Sequence, residues 1–377
     1  MDSAAGRRRQ MVTGISMLQV AMILMASVGL MNHVLVIPAV LDTAGRDAWL
    51  SALVCLPVLL LWTVCLIVIV KRSGGRPLLE WIRERTGRAV SGLLRLLLIL
   101  YLLLAVFVTV KDTVVWSTVS YLPETPVLSL AVLLLLLCFV AARSGMLCIA
   151  VMTGILLPVI VLLGWFVAFG NVPNKDYTLL LPVLEKGTEP FLHGMTLSLG
   201  AQAEVVLFVF LQHHIRTSIR WWHLALLVVI LVGLTLGPVT GSIAEFGPVE
   251  AAKQRYPAFE QWKLVVFRDN VERLDFLSIY QWFAGAFIRV STYLTMLIEL
   301  LPVKRQRSED ILLLGLTGGL LALCAFPWPD VLFYDWLKTY YLPGSLAGWG
   351  LLTLLLLGAA FFPKRKERRT RDHGTVE

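Results

Sequence analysis

Charged side chains are scarce in this chain. Aspartate, glutamate, lysine and arginine make up 15% of its 377 residues, against about 25% in an ordinary soluble domain. So few polar groups cannot cover a water-soluble fold in which 58% of the residues are hydrophobic. That excludes a soluble enzyme. The formal net charge of +8 does not indicate a nucleic-acid surface either, because the charges sit in short stretches between apolar runs.

Cysteine is also sparse. Cys55, Cys65, Cys138, Cys148 and Cys324 all fall inside apolar runs, without the spacing of a metal site or a redox pair. They read as small buried apolar side chains. No phosphate loop, His-Glu-x-x-His, Gly-x-Ser-x-Gly or selectivity-filter run occurs. Catalytic residues, a metal site and a cofactor are therefore not expected. The start does not read as a cleaved leader, since Arg7, Arg8 and Arg9 precede an apolar run too long for a signal core.

What the chain does contain is long apolar runs. A bilayer core takes about 20 apolar residues in helical form. On that template ten spans emerge, near 16–40, 48–70, 92–116, 127–142, 146–169, 194–211, 222–243, 274–301, 310–326 and 345–362. The expected fold class is an all-α integral membrane protein of one domain. With the N-terminus inside, 21 lysines and arginines fall in inner segments and 9 in outer ones. That bias predicts both termini in the cytoplasm. Two connections read as structured. LLEWIRERTGR at 78–88 suits an interfacial helix, with Leu78, Leu79, Trp81 and Ile82 on one face and Arg83, Arg85 and Arg88 towards anionic lipid. The outer loop 244–273 mixes both charge signs with Trp262 and reads as a partly helical cap.

Two spans carry residues unsuited to a plain lipid-facing helix. Span 1 reads SVGLMNHVLVIP over 27–38, with Gly29, Met31, Asn32 and His33 ahead of Pro38. Span 6 reads LSLGAQAEVVLF over 197–208, where Ser198, Gln202 and Glu204 surround Gly200. Glycine and proline loosen helical backbone, and buried amide, imidazole and carboxylate groups need partners in a dry core. Each break is expected to be an unwound binding segment, the alternative being a packed kink. Both lie in the first span of a five-span half, so the second half must run inverted. The halves are 10–190 and 191–363, followed by a basic cytoplasmic tail at 364–377. Paired breaks in inverted halves point to a midplane ligand site.

Other intramembrane charges are Lys111 and Asp112 in span 3, Arg289 in span 8 and Glu299 near its inner end. The adjacent Lys111 and Asp112 point about 100° apart on a helix and need separate partners. Arg289 reads equally as an ion-pair partner of Glu204 or Asp112 and as a clamp for a substrate carboxylate.

Seven stretches, in order from end to end, carry a family resemblance: GLMNHVLVIP (29–38), AGRDAW (44–49), LPETP (122–126), LLPVLEKG (180–187), GAQAEVVLF (200–208), VERLD (271–275) and FPWPD (326–330). With them the chain resembles the B subunit of spore germinant receptors, the endospore germination permease family of the amino acid–polyamine–organocation superfamily. That resemblance implies an inverted five-plus-five transporter fold with broken spans 1 and 6. It also implies the spore inner membrane, partnership with A-type and C-type receptor subunits, and binding of a small-molecule germinant such as an amino acid, sugar or nucleoside. Residues 29–33 and 198–204, with facing residues of spans 3 and 8, would then line the pocket. The chain departs from some members in carrying Asn32, His33 and Arg289 where those have small residues, so its germinant need not be alanine. A secondary amino-acid transporter coupled to protons or sodium, and a structural scaffold within a channel complex, are the alternative readings.

Overall fold

The structure, a computed structural model, describes residues 14–265, 274–301 and 306–361. Arg7 to Arg9, most of the VERLD stretch and the basic tail at 364–377 lie outside the described residues. Among the described residues the chain is helical, apart from turns and a single β-bridge between Ile15 and Ile215. Nine of its helical stretches are long and apolar enough to cross a membrane.

The first of these, Met17–Ser73, runs 57 residues. At 1.5 Å per residue that is about 85 Å, nearly three bilayer cores. It contains two spans, separated at Gly45, whose φ of +55° breaks the helix before a short 3₁₀ turn, Gly45–Asp47. The described residues therefore make ten helical passes. Span 1 starts on a reciprocal cap, in which the Ser16 hydroxyl accepts from the Gln19 N–H while the Gln19 amide oxygen accepts from the Ser16 N–H. Spans 4 and 5, Val127–Ser144 and Met146–Gly170, are joined by Gly145 alone, at φ +85°. Only glycine takes that backbone cheaply.

The cross-links sort onto two sides, as alternating passes require. On the side of the first helix start, Ile15 exchanges backbone hydrogen bonds with His214 and Arg216, and Arg143 in the last turn of span 4 meets Asp310 near the start of span 9. On the other side, Asp42 at the end of span 1 pairs with Lys338, Arg46 with Glu185, and Arg255 with both Asp112 and Asp330. The same sorting leaves the interfacial helix Leu78–Thr86 and the end of span 10 on the first side.

Spans 6 and 8 form the centre. In their most apolar windows 89% and 78% of the residues are buried, against 28% in span 5 and 22% in span 9. Span 8, Leu277–Leu300, packs on spans 1, 3, 4 and 5, and span 6 packs on spans 1, 2 and 10. The outer spans turn leucine outward instead, as at Leu133, Leu136, Leu137, Leu162 and Leu314. An apolar belt of this kind suits lipid.

Two expectations need adjustment. Span 10 begins at Asp330, fifteen residues before the expected start, and runs to Phe361. Its first half, DVLFYDWLKTYYLPG, is aromatic and polar enough to hide a helix from a hydropathy reading. The helix Leu78–Thr86 does bury Leu78, Leu79, Trp81 and Ile82. Arg85, however, lies over the Trp81 ring and donates to the carbonyls of Ala359 and Ala360 rather than to lipid. Residue 363 is proline and has no N–H to offer the Ala359 carbonyl, which leaves that carbonyl open to a guanidinium. The described part of the cap contains two short helices, Pro248–Ala251 and Pro257–Lys263, as expected of a partly helical cap.

Candidate functional site

Neither break is unwound; each is a change of winding within a continuous helix. Span 1 is α-helical over Met17–Leu30, makes a π turn at Met31–Leu35 and returns to α at Val36–Ala44. The Val36 N–H reaches back five residues to the Met31 carbonyl. Span 6 tightens at the corresponding place, from α over Thr188–Gln202 to a 3₁₀ stretch at Ala203–Leu207. A π turn and a 3₁₀ turn keep the backbone hydrogen-bonded, which a membrane interior demands, while re-aiming the side chains that follow. A second π turn, Leu337–Tyr341, lies in span 10.

At the level of these turns Glu204 and Arg289 meet. Arg289 is the thirteenth of the 24 residues of Leu277–Leu300 and is completely buried, as is Glu204 to within 1%. Their contact is bidentate, Nη1 to Oε2 at 2.5 Å and Nη2 to Oε1 at 2.7 Å. Arg289 also donates to the Ser27 carbonyl of span 1 at 2.9 Å, and from Nε to the Thr109 hydroxyl of span 3 at 2.8 Å. Glu204 accepts three phenols: Tyr101 of span 3 at 2.6 Å, Tyr293 of span 8 at 2.9 Å and Tyr341 of span 10 at 3.3 Å. Tyr101 also meets the Ser345 hydroxyl, which donates to the Gly200 carbonyl at 2.9 Å. Spans 1, 3, 6, 8 and 10 thus converge on one charge pair. Its partner is Glu204 and not Asp112, which pairs with Arg255 of the cap at 2.8 Å.

The other residues singled out from the sequence surround this centre without all facing it. At Gly200 a Cβ would lie 2.1 Å from the Leu342 carbonyl oxygen. Glycine is what lets spans 6 and 10 approach here. Gln202 donates to the Ser198 hydroxyl within span 6. Asn32 and His33 turn towards span 7, to the carbonyls of Leu231 and Leu234, and Gly29 also backs onto Leu234. Met31 is buried in the π turn. Sequence reasoning missed Tyr101, Thr109, Tyr293, Tyr341 and Ser345. Their one signal is a hydroxyl inside an apolar run, plainest at Tyr101 in LLLILYLLLAV.

A second polar cluster lies on the cap side. Arg255 joins Asp112 and Asp330 and stacks over the rings of Tyr256 and Tyr334, at 4.5 and 4.9 Å. Burial works against its charge, yet these neighbours, Asp112 first, hold the guanidinium above its ordinary range. It borders a cavity of about 710 Å³ also lined by Tyr256, Lys263 and Asp275.

Sequence comparison assigns the chain. The family described as "Spore germination protein" matches residues 14–308. The chain belongs to that family. This spore germination protein is also similar to "Spore germination protein XB" of Bacillus anthracis, 39% identical over 354 residues, which are 94% of this chain and 99% of that one. A spore germination protein with ten helical passes is a multi-pass membrane protein, and its buried charge pair links its two most buried spans.

Proposed function

We propose that this chain is the germinant-binding membrane subunit of a spore germinant receptor, and that its germinant is a small zwitterion bound where spans 1, 3, 6, 8 and 10 meet. The observation that carries this is the Glu204–Arg289 pair with its three phenols. As a strut alone such a pair is poorly justified, because desolvating two charges offsets most of their attraction. As a recognition device it is economical. An amino acid's carboxylate takes the place of Glu204 on Arg289, and its ammonium takes the place of Arg289 on Glu204, so no buried charge is left unpaired.

The surrounding residues supply the remainder of the site: Gly29, Met31, Asn32 and His33 from span 1, and Ser198, Gly200 and Gln202 from span 6. Asn32 Oδ1 and Gln202 Oε1 are buried acceptors with no partner among the described residues. The charge pair favours a zwitterion over a sugar or nucleoside. Binding shifts the spans between two arrangements, which A-type and C-type partner subunits in the spore inner membrane convert into the germination response.

Equilibrium binding of labelled amino acids to the purified protein, with sugars and nucleosides as comparison, tests this. Tyr101→Phe removes one hydrogen bond to the buried Glu204 carboxylate while keeping the ring, and is expected to weaken amino-acid binding about tenfold in protein that thermal unfolding shows to be folded, at a modestly lower unfolding temperature. Absence of binding by every zwitterion tried, or an affinity indifferent to Tyr101→Phe, overturns the reading. Uptake of the same solutes into proteoliposomes separates sensing from coupled transport. The orientation follows the positive-inside bias, so a single cysteine placed at Arg83 should label from the cytoplasmic side only.

A further inference from the structure

Span 6 and span 8 approach again where both helices end, on the side that carries Ile15. Span 6 closes there with a 3₁₀ turn, Gln212–His214, and Glu299 is the penultimate residue of span 8. The His214 Nε2 lies 3.0 Å from one Glu299 carboxylate oxygen, and the His213 Nε2 lies 3.6 Å from the other. One ligand atom from each of the three residues lies within 4.8 Å of the other two. Neither the charge pair nor the zwitterion site uses these groups. Sequence spacing does not mark a metal site here, because Glu299 is 85 residues from His214.

We infer that His213, His214 and Glu299 form a site for a divalent first-row metal ion, with zinc the best match. Two imidazoles and one carboxylate are a donor set that zinc uses where a coordination position stays open, and one that Fe(II) shares. Bonds of about 2.0–2.1 Å in tetrahedral array put neighbouring ligand atoms roughly 3.3 Å apart. From a single carboxylate oxygen, Glu299 Oε2, the His214 and His213 Nε2 atoms lie at 3.1 and 3.6 Å, which bracket that value. The side chains are partly exposed, at 26%, 18% and 34%, so an ion has a way in.

The backbone under the histidines is fixed before any ion arrives. The His214 carbonyl accepts from the Ile15 N–H, and the Arg216 N–H donates to the Ile15 carbonyl. The buried Gln212 side chain accepts from the Ser73 hydroxyl and donates to the Arg76 carbonyl. Little ordering entropy then remains to oppose coordination. A bound ion ties together the ends of the same two helices that carry Glu204 and Arg289. It acts as a latch on the far ends of those helices, built from groups the central site does not use.

The test uses the full-length protein, purified in detergent, stripped with a chelator and held above the ordinary histidine pKa of about 6.5 so that protons do not compete. Zn²⁺ is titrated by calorimetry, and Co²⁺ is followed by its visible absorption. One Zn²⁺ per chain is expected, with a Co²⁺ spectrum of low coordination number and a raised unfolding temperature in saturating metal. His213→Gln and Glu299→Gln should each weaken binding at least about tenfold, whereas His193→Gln, remote from the cluster, should not. Unfolding temperatures in chelator show that each variant is folded, and should Glu299→Gln fail to fold, His213→Gln decides. Absence of stoichiometric Zn²⁺ binding, or affinities equal across all these proteins, overturns the site. Neither result bears on amino-acid binding to Tyr101→Phe, so the two proposals fail separately.

Discussion

Arg289 has one charged partner and three neutral ones. Removing a single member of a buried ion pair leaves the other charge uncompensated, at a cost of about 3–5 kcal/mol, whereas removing both charges is often close to neutral. Arg289→Gln and Glu204→Gln should therefore each lower the amount of folded protein in membranes. The double variant should recover most of it while losing zwitterion binding. Abundance and thermal unfolding of the three proteins check this, and a double variant no more stable than the singles would mean the two charges do not act as a pair. Glu204 and Arg289 were legible from sequence because an ionisable residue in an apolar run is a one-dimensional signal. The phenols were not, since tyrosine is ordinary in a membrane helix and its role depends on which neighbour its hydroxyl meets. Asn32 and His33 were legible as odd, but not in direction.

That direction belongs to the element scale. A π turn inserts one residue into a helix, which rotates everything beyond it by about 100° relative to an unbroken α-helix. The turn at Met31–Leu35 thereby sets the angle between two halves of span 1. One half presents the Ser27 carbonyl to Arg289, and the other packs its Val36–Ala44 face on span 6. Glycine and proline spacing located the break, while the mode of winding depends on tertiary contacts that spacing does not encode. Deleting Val34 should restore a regular α-helix and turn one half away from its contacts. We expect lower stability despite the tidier backbone, measured as a reduced unfolding temperature in detergent. A deletion variant as stable as the parent would mean the π turn is incidental. The early start of span 10 was hidden for a related reason: its second π turn falls in the aromatic LKTYY segment, where apolar periodicity fades.

For the whole molecule, the number of passes was legible because bilayer thickness sets helix length, and only the boundaries moved. What sequence could not show was which spans would be central. Spans 6 and 8 run in the same direction through the protein and are joined twice, at Glu204–Arg289 and at His214–Glu299. Ten residues separate the two joints on each helix. The lengths are nevertheless unequal. Span 8 is α-helical throughout, whereas span 6 contains 3₁₀ turns at Ala203–Leu207 and Gln212–His214. A 3₁₀ residue rises about 2.0 Å and an α residue 1.5 Å, so seven of them, Glu204–Leu207 and Gln212–His214, lengthen span 6 by about 3–4 Å between joints. The two helices therefore resemble the rails of a ladder with slanted rungs. Relaxation of span 6 to α geometry when a ligand replaces the upper rung would draw its far end along span 8 by that length. Spin labels at Ile215 and Leu300 should report the displacement on adding ligand, and an unchanged distance would mean the rails do not slide. Such a stroke would carry an event at the membrane midplane to a surface that other subunits can reach.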